Sequence, residues 1–186
     1  MKTLALPESW RPRALVVRDV ELSPDWFTAE ELEEANAFRL AKRREEWMRA
    51  RIAAKQLAID RGLAGDPREV RVTRALFSIS HSGPYAAAAF GGIDVQVVRS
   101  ISESAAHLFL SEAEADQMRA STIEHRLLHF WCAKEAAWKE QGGAIETLKQ
   151  VPLALTGVRG SGLVFDRVET IAIEDVIVAH TTRPTS

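Results

Sequence analysis

Two long helix-patterned stretches, each halted by glycines and each followed by alternating β-branched runs, constrain this chain more than any other feature. The first opens at Thr28, an N-cap residue with Glu31 three positions on, and continues to about Arg61 before Gly62 and Gly65 stop it. It is long enough to require a kink or break near Asn36. The second runs from about Ile123 to Gln141, closed by Gly142-Gly143, with a shorter helical stretch around Ser111 to Ala120 ahead of it. Strand patterns surround both. Ala14 to Val20 precedes the first helix, and Glu69 to Ala75, FSISHS and YAAAAFGG follow it, the last two flanking a Gly83-Pro84 turn. GIDVQVV then leads to the second helix, and β-branched runs punctuated by Gly157, Gly160 and Gly162 fill Val151 to Thr182. The order strand, helix, strands thus occurs twice, with no repeat at a fixed period.

With 46% hydrophobic residues among 186, the chain can bury a substantial core. Its net charge of -2 combines 24 basic with 26 acidic residues, which excludes a global field favouring non-specific binding to nucleic acid or membrane. Any anion site must be local. The single cysteine, Cys132, cannot form an intrachain disulfide, and no Cys/His spacing suits a structural zinc site. The N-terminus lacks a signal-peptide apolar run, and no stretch nears the roughly 20 apolar residues of a membrane span. A soluble, cytoplasmic protein is expected.

In the first helix, Trp47, Ala50, Ala54, Leu57 and Ala58 recur at helical spacing and predict the buried stripe. Arg44, Arg51 and Lys55 lie within about 40° of one another on an adjacent stripe, which the plainest reading makes a solvated face with scattered salt bridges. In the second helix, Trp131, Glu135 and Lys139 share one side. Taken alone, such a Glu-Lys pair is a surface ion pair worth a few tenths of a kcal/mol. Asp94 and Gln96, however, project from one face of their strand about 7 Å apart. One strand acid and one helix carboxylate can hold magnesium beside a phosphate. Ser80-His81-Ser82, just before Gly83, offers hydroxyls, an imidazole and turn amides to phosphate oxygens, although a lone histidine in a turn is more often structural.

The series FSISHSG, GIDVQ, FLSEAE and WCAKEAAWKEQGG, in this order and at these separations, resembles the 4'-phosphopantetheinyl transferase superfamily in its two-lobed, surfactin-synthetase-activating type. The resemblance runs from about Leu32 to Gly143 and includes Phe38-Arg39 and Ala50-Arg51. It implies an α+β fold of two pseudo-symmetric lobes, each a long helix on a small, mostly antiparallel sheet, with residues 1–91 and 92–186 packed intimately as one globular unit. It further implies magnesium-dependent transfer of the 4'-phosphopantetheine arm of coenzyme A to a serine of an acyl or peptidyl carrier protein of fatty-acid, polyketide or nonribosomal-peptide assembly, by a monomer with no nucleic-acid or membrane partner. Carried over by position, Asp94, Glu135 and Gln96 are metal ligands, and Glu135 is also the candidate general base. Lys139 meets the coenzyme A phosphates and offsets charge on the departing 3',5'-adenosine bisphosphate. Ser80, His81 and Arg51 contact phosphates, and Trp131 braces the helix.

Two departures from the family pattern are visible. Gln96 stands where many members carry a third acid, and only Arg74, Ala75 and Leu76 separate the strand-like Glu69–Thr73 from the Ser-His segment, where many members have a Gly-Lys-Pro loop. These motivate an alternative, a non-catalytic binding or accessory protein on the same fold. A third class, an RNA-binding module using the basic helix, is opposed by Glu45 and Glu46 within the stripe and by the lack of an aromatic platform.

Overall fold

A computed structural model describes residues 1–11 and 13–182. The chain divides into two units, Met1–Phe90 and Gly91–Ser186. Both are α+β, and each sheet is antiparallel throughout.

In the first unit, strands β1 (Lys2–Thr3), β2 (Ala14–Arg18), β3 (Ser78–Ser82) and β4 (Tyr85–Ala89) form a sheet in the order β1-β2-β4-β3. β3 and β4 are a hairpin whose two-residue connection, Gly83-Pro84, places Gly83 at φ 56°, a value that costs glycine nothing and matches the strand twist. The helical stretch from Thr28 divides into α1 (Ala29–Asn36) and α2 (Ala41–Asp60). α1 starts in a capping box, with Thr28 Oγ1 accepting from the Glu31 amide and the Glu31 carboxylate accepting from the Thr28 amide. The break falls at 37–40, where Leu40 adopts extended dihedrals ahead of α2.

α2 is buried on two sides, which the single predicted stripe did not anticipate. Ala53, Ala54, Leu57 and Ala58 pack on Leu15, Val17, Ala86 and Ala88 of the sheet, while Met48 and Ile52 pack with Phe27 and Ala35. Trp47 is only half-buried. The reading of Arg44, Arg51 and Lys55 as one solvated face is therefore corrected. Arg44 is exposed, Arg51 is largely covered, and Lys55 is fully buried. Lys55 Nζ donates to Glu31 Oε2 (2.8 Å), to the Pro67 carbonyl (2.8 Å) and to the Val70 carbonyl (3.2 Å). The same bonds explain a second correction. Glu69 to Ala75 is not a strand: a 3-10 turn at Pro67–Glu69 is followed by irregular chain. Carbonyls of this segment are taken by a lysine instead of a ladder.

In the second unit, β5 (Ile93–Val97), β6 (Leu155–Arg159), β7 (Gly162–Phe165), β8 (Val168–Ile173) and β9 (Val176–Thr181) form a sheet in the order β5-β9-β8-β7-β6. α3 (Glu112–Ala120) and α4 (Arg126–Glu140) precede β6, and α4 lies on β5, β8 and β9. α4 is shorter than the expected stretch because the chain reaches it through His125, held in the left-handed region at φ 54°. Leu128, Phe130, Ala133, Ala136 and Ala137 of α4 join Leu163, Phe165, Ile177 and Ala179 in the core. Among the described residues, no helix is long and apolar enough to cross a membrane.

Candidate active site

β5 turns Ile93 and Val95 into apolar surroundings, so the period of two places Asp94 and Gln96 on its other face, the one toward α4. α4 comes unusually close there. A Cβ on Gly92 would sit 1.8 Å from the Ala136 carbonyl oxygen, so only glycine allows helix and strand to approach this far. Thr181 Oγ1 accepts from the Gly92 amide at 2.9 Å, and the Gly92 carbonyl lies 3.1 Å from His180 Nδ1, which locks the start of β5 to β9.

Across this short gap Asp94 meets α4. Lys139 Nζ donates to Asp94 Oδ1 at 2.7 Å and to the Ile93 carbonyl at 3.2 Å. Gln96 Nε2 donates to the other oxygen, Asp94 Oδ2, at 3.2 Å. The carboxylate is 2% exposed and is thus held from both sides within a dry setting. Glu135, one helical turn before Lys139, faces the same region. Burial pushes its carboxyl above the usual carboxylate range, the negative charge of Asp94 adds to the rise, and the Lys139 ammonium opposes it. Two acids and one ammonium therefore share a partly desolvated region between β5 and α4. Lys139 does not act as the simple surface partner its i,i+4 spacing suggests, because it reaches across to the strand.

Trp131 packs edge-on against Phe109, with ring centroids 5.0 Å apart at 82°, bracing α4 one turn before Glu135. Cys132 is a neighbour the motif reading missed. Its thiol is fully buried against Asp94, and burial followed by that acid's charge pushes its pKa well up. The i,i+3 relation between Cys132 and Glu135 was the available signal.

The first unit holds the remaining candidates. Ser80 and His81 are consecutive on β3, so their side chains leave opposite faces of the sheet. Ser80 pairs with Ala87 and is buried, whereas His81 pairs with Ala86 on the α2 side, where its Nδ1 lies 3.9 Å from Glu46 Oε2. Ser80 and His81, both expected to contact phosphate, therefore present their side chains on opposite faces of the first sheet. The Arg51 guanidinium carbon lies over the Trp47 indole, 3.5 Å from the ring centroid, and the guanidinium contacts Glu34 Oε1 at 3.5 Å. Burial lowers the pKa of its guanidinium, with Glu34 and Glu31 acting in the opposite sense.

Among the described residues, no group of three or more His, Cys, Asp or Glu is placed to hold a metal ion. The oxygen donors on the α4 side of β5 are two carboxylates and one amide, those of Asp94, Glu135 and Gln96.

Residues 91–164 match the family model described as the 4'-phosphopantetheinyl transferase superfamily. No curated protein matches the chain. The phosphopantetheinyl transferase match begins at Gly91 and covers β5, α3, α4, β6 and most of β7, so the strand acid and the helix carboxylate both fall within it. Asp94, Gln96, Glu135 and Lys139 lie within it, as does Gly92, the residue that lets strand and helix approach. Arg51, Ser80 and His81 lie outside the match.

Proposed function

We propose that this chain transfers the 4'-phosphopantetheine arm of coenzyme A to a serine of an acyl or peptidyl carrier protein. One observation carries the reading: Lys139 bonds Asp94 at 2.7 Å, while Asp94 and Glu135 sit close enough for the charge of one to raise the pKa of the other. Two mutually repelling carboxylates, one buried and one half-buried, are a favourable place for a hard divalent cation. Magnesium in particular is commonly held by one or two carboxylates, with waters and substrate phosphates completing its shell, so the small donor set fits it. Asp94 and Glu135 would hold the ion, with Gln96 as a neutral third position, and when bound it would neutralise charge on the pyrophosphate oxygens.

The chain's own groups have distinct tasks. Glu135, its pKa raised, accepts the proton of the carrier serine, and positions that hydroxyl by a hydrogen bond directly or through one water. As the proton leaves, the serine oxygen bonds to the β-phosphorus and the bond from that phosphorus to the 3',5'-adenosine bisphosphate oxygen breaks. Lys139 donates to the oxygens on which charge develops. For the first unit we limit the proposal to phosphate recognition by Arg51, Ser80 and His81. The presence of two units, each with a long helix on an antiparallel sheet, supports the two-lobed type.

The test is direct. With magnesium and coenzyme A, an apo carrier protein incubated with the chain should gain the mass of the phosphopantetheine arm, and Asp94→Ala or Glu135→Ala should abolish the gain. If coenzyme A binds by calorimetry but no carrier is modified, the accessory-protein reading takes its place, in which Gln96 serves Asp94 as a hydrogen-bond donor and nothing more.

A further inference from the structure

The segment WCAKEAAWK contains a lysine that the transfer reaction does not use. Lys134 is fully buried, directly before Glu135 on α4. Its Nζ contacts Glu114 Oε1 at 2.6 Å and donates to the Val151 carbonyl. Glu114, itself 5% exposed, also accepts from the Leu153 amide through Oε1 (3.0 Å) and from the Ser111 amide through Oε2 (2.7 Å), closing the capping box of α3. One ion pair therefore ties three separate pieces of chain: the start of α3, the middle of α4, and the segment leading into the last four strands. Burial lowers the Lys134 pKa and the carboxylate of Glu114 holds it up.

We infer that Lys134 is a positioning residue: its buried ion pair with Glu114 sets the rotation of α4 that brings Glu135 to Asp94. Successive residues of a helix are 100° apart, so fixing the direction of Lys134 fixes that of Glu135. A rotation of only about 20° would swing a carboxylate roughly 6 Å from the axis by about 2 Å. The packing of Gly92 against the Ala136 carbonyl sets the distance between helix and strand, but a backbone contact at one point does not fix rotation. The Lys134 clamp on another side of the helix does. A role for Lys134 as a phosphate contact is incompatible with its complete burial and its two oxygen partners.

This inference rests on the transferase reading for its kinetic consequence, so the experiment has an arm free of it. In the double variant Lys134→Met with Glu114→Gln, both charges go together and the capping acceptor remains, which avoids stranding one buried ion. Crystal structures of this variant and the wild type should differ by more than about 1 Å in the position of the Glu135 carboxylate relative to Asp94. The kcat for carrier modification should fall by about 10- to 100-fold, with the KM for coenzyme A unchanged within about twofold. An unmoved Glu135 overturns the inference and leaves the pair a role in stability alone. A raised KM with unchanged kcat also overturns it, by making Lys134 a substrate contact. Should the double variant not fold, Lys134→Arg keeps the charge while its larger head displaces α4, and an unchanged kcat there overturns the inference equally. If the wild type modifies no carrier, the transferase reading fails while the crystallographic comparison still decides the positioning role.

Discussion

At the scale of single residues, Asp94 has a compensating donor on each oxygen, so the uncompensated charge of the site falls on Glu135. This has a measurable sign. In metal-free protein, the Glu135 carboxyl should titrate above the ordinary glutamate value when followed by carbon-detected NMR. Lys139→Met, which removes the charge that lowers it, should move the titration further up, and Asp94→Asn should move it down. A Gln96→Glu variant replaces the donor at Asp94 Oδ2 by a like charge and should also move it up. Asp94, Glu135 and Lys139 were legible in the sequence because helix and strand periods determine which residues share a face. The strand carrying Ser80 and His81 was legible too, and its period of two sends these neighbours to opposite sides of the sheet. Lys55 was equally hidden: only the fold brings the Pro67 and Val70 carbonyls over its ammonium.

At the scale of elements, α4 governs the second unit, and two of its contacts predict behaviour. His129 is buried in the core with Nδ1 2.8 Å from Thr170 Oγ1, while its Nε2 is buried without a partner, and burial holds its pKa down to about 4. Because the folded value lies below the unfolded one, the neutral ring contributes stability above the unfolded pKa, and this is lost as pH falls from about 6.5 through 4. Within that window the slope approaches about 1.4 kcal/mol per pH unit. His129→Asn, which cannot titrate, should flatten the acid side of a plot of unfolding free energy against pH. Gly92→Ala should be destabilising by about 1–3 kcal/mol or more in urea unfolding, because helix and strand must separate to admit the methyl group. The two helices and the Gly83-Pro84 hairpin were readable from capping residues and turn chemistry. The strand expected at Glu69 to Ala75 was not formed, since alternation of side chains says nothing about where carbonyl groups find donors.

For the whole molecule, occupancy of the acid pair should couple to stability. A glutamate whose folded pKa is raised favours the folded state fully below its unfolded pKa, and that contribution disappears as pH rises through the folded value. A divalent cation should therefore stabilise the protein more on the alkaline side of that transition. Calorimetric scans with magnesium at 100 times its dissociation constant should show a gain of about 2.7 kcal/mol, or roughly 5–10 °C. The gain should shrink as the pH falls and vanish in Asp94→Ala. The family match stops short of the first unit, whose candidates depend on packing that sequence spacing cannot encode.

The lone thiol, at position 132, also offers a practical clock. Lying between α4 and β9, its hydrogen aimed at the Ile177 carbonyl and its flank against the site acid, it is out of reach of alkylating or disulfide reagents while the helix stays seated. Thiol labelling of the native protein should consequently report how often α4 lifts from the sheet, with no probe introduced.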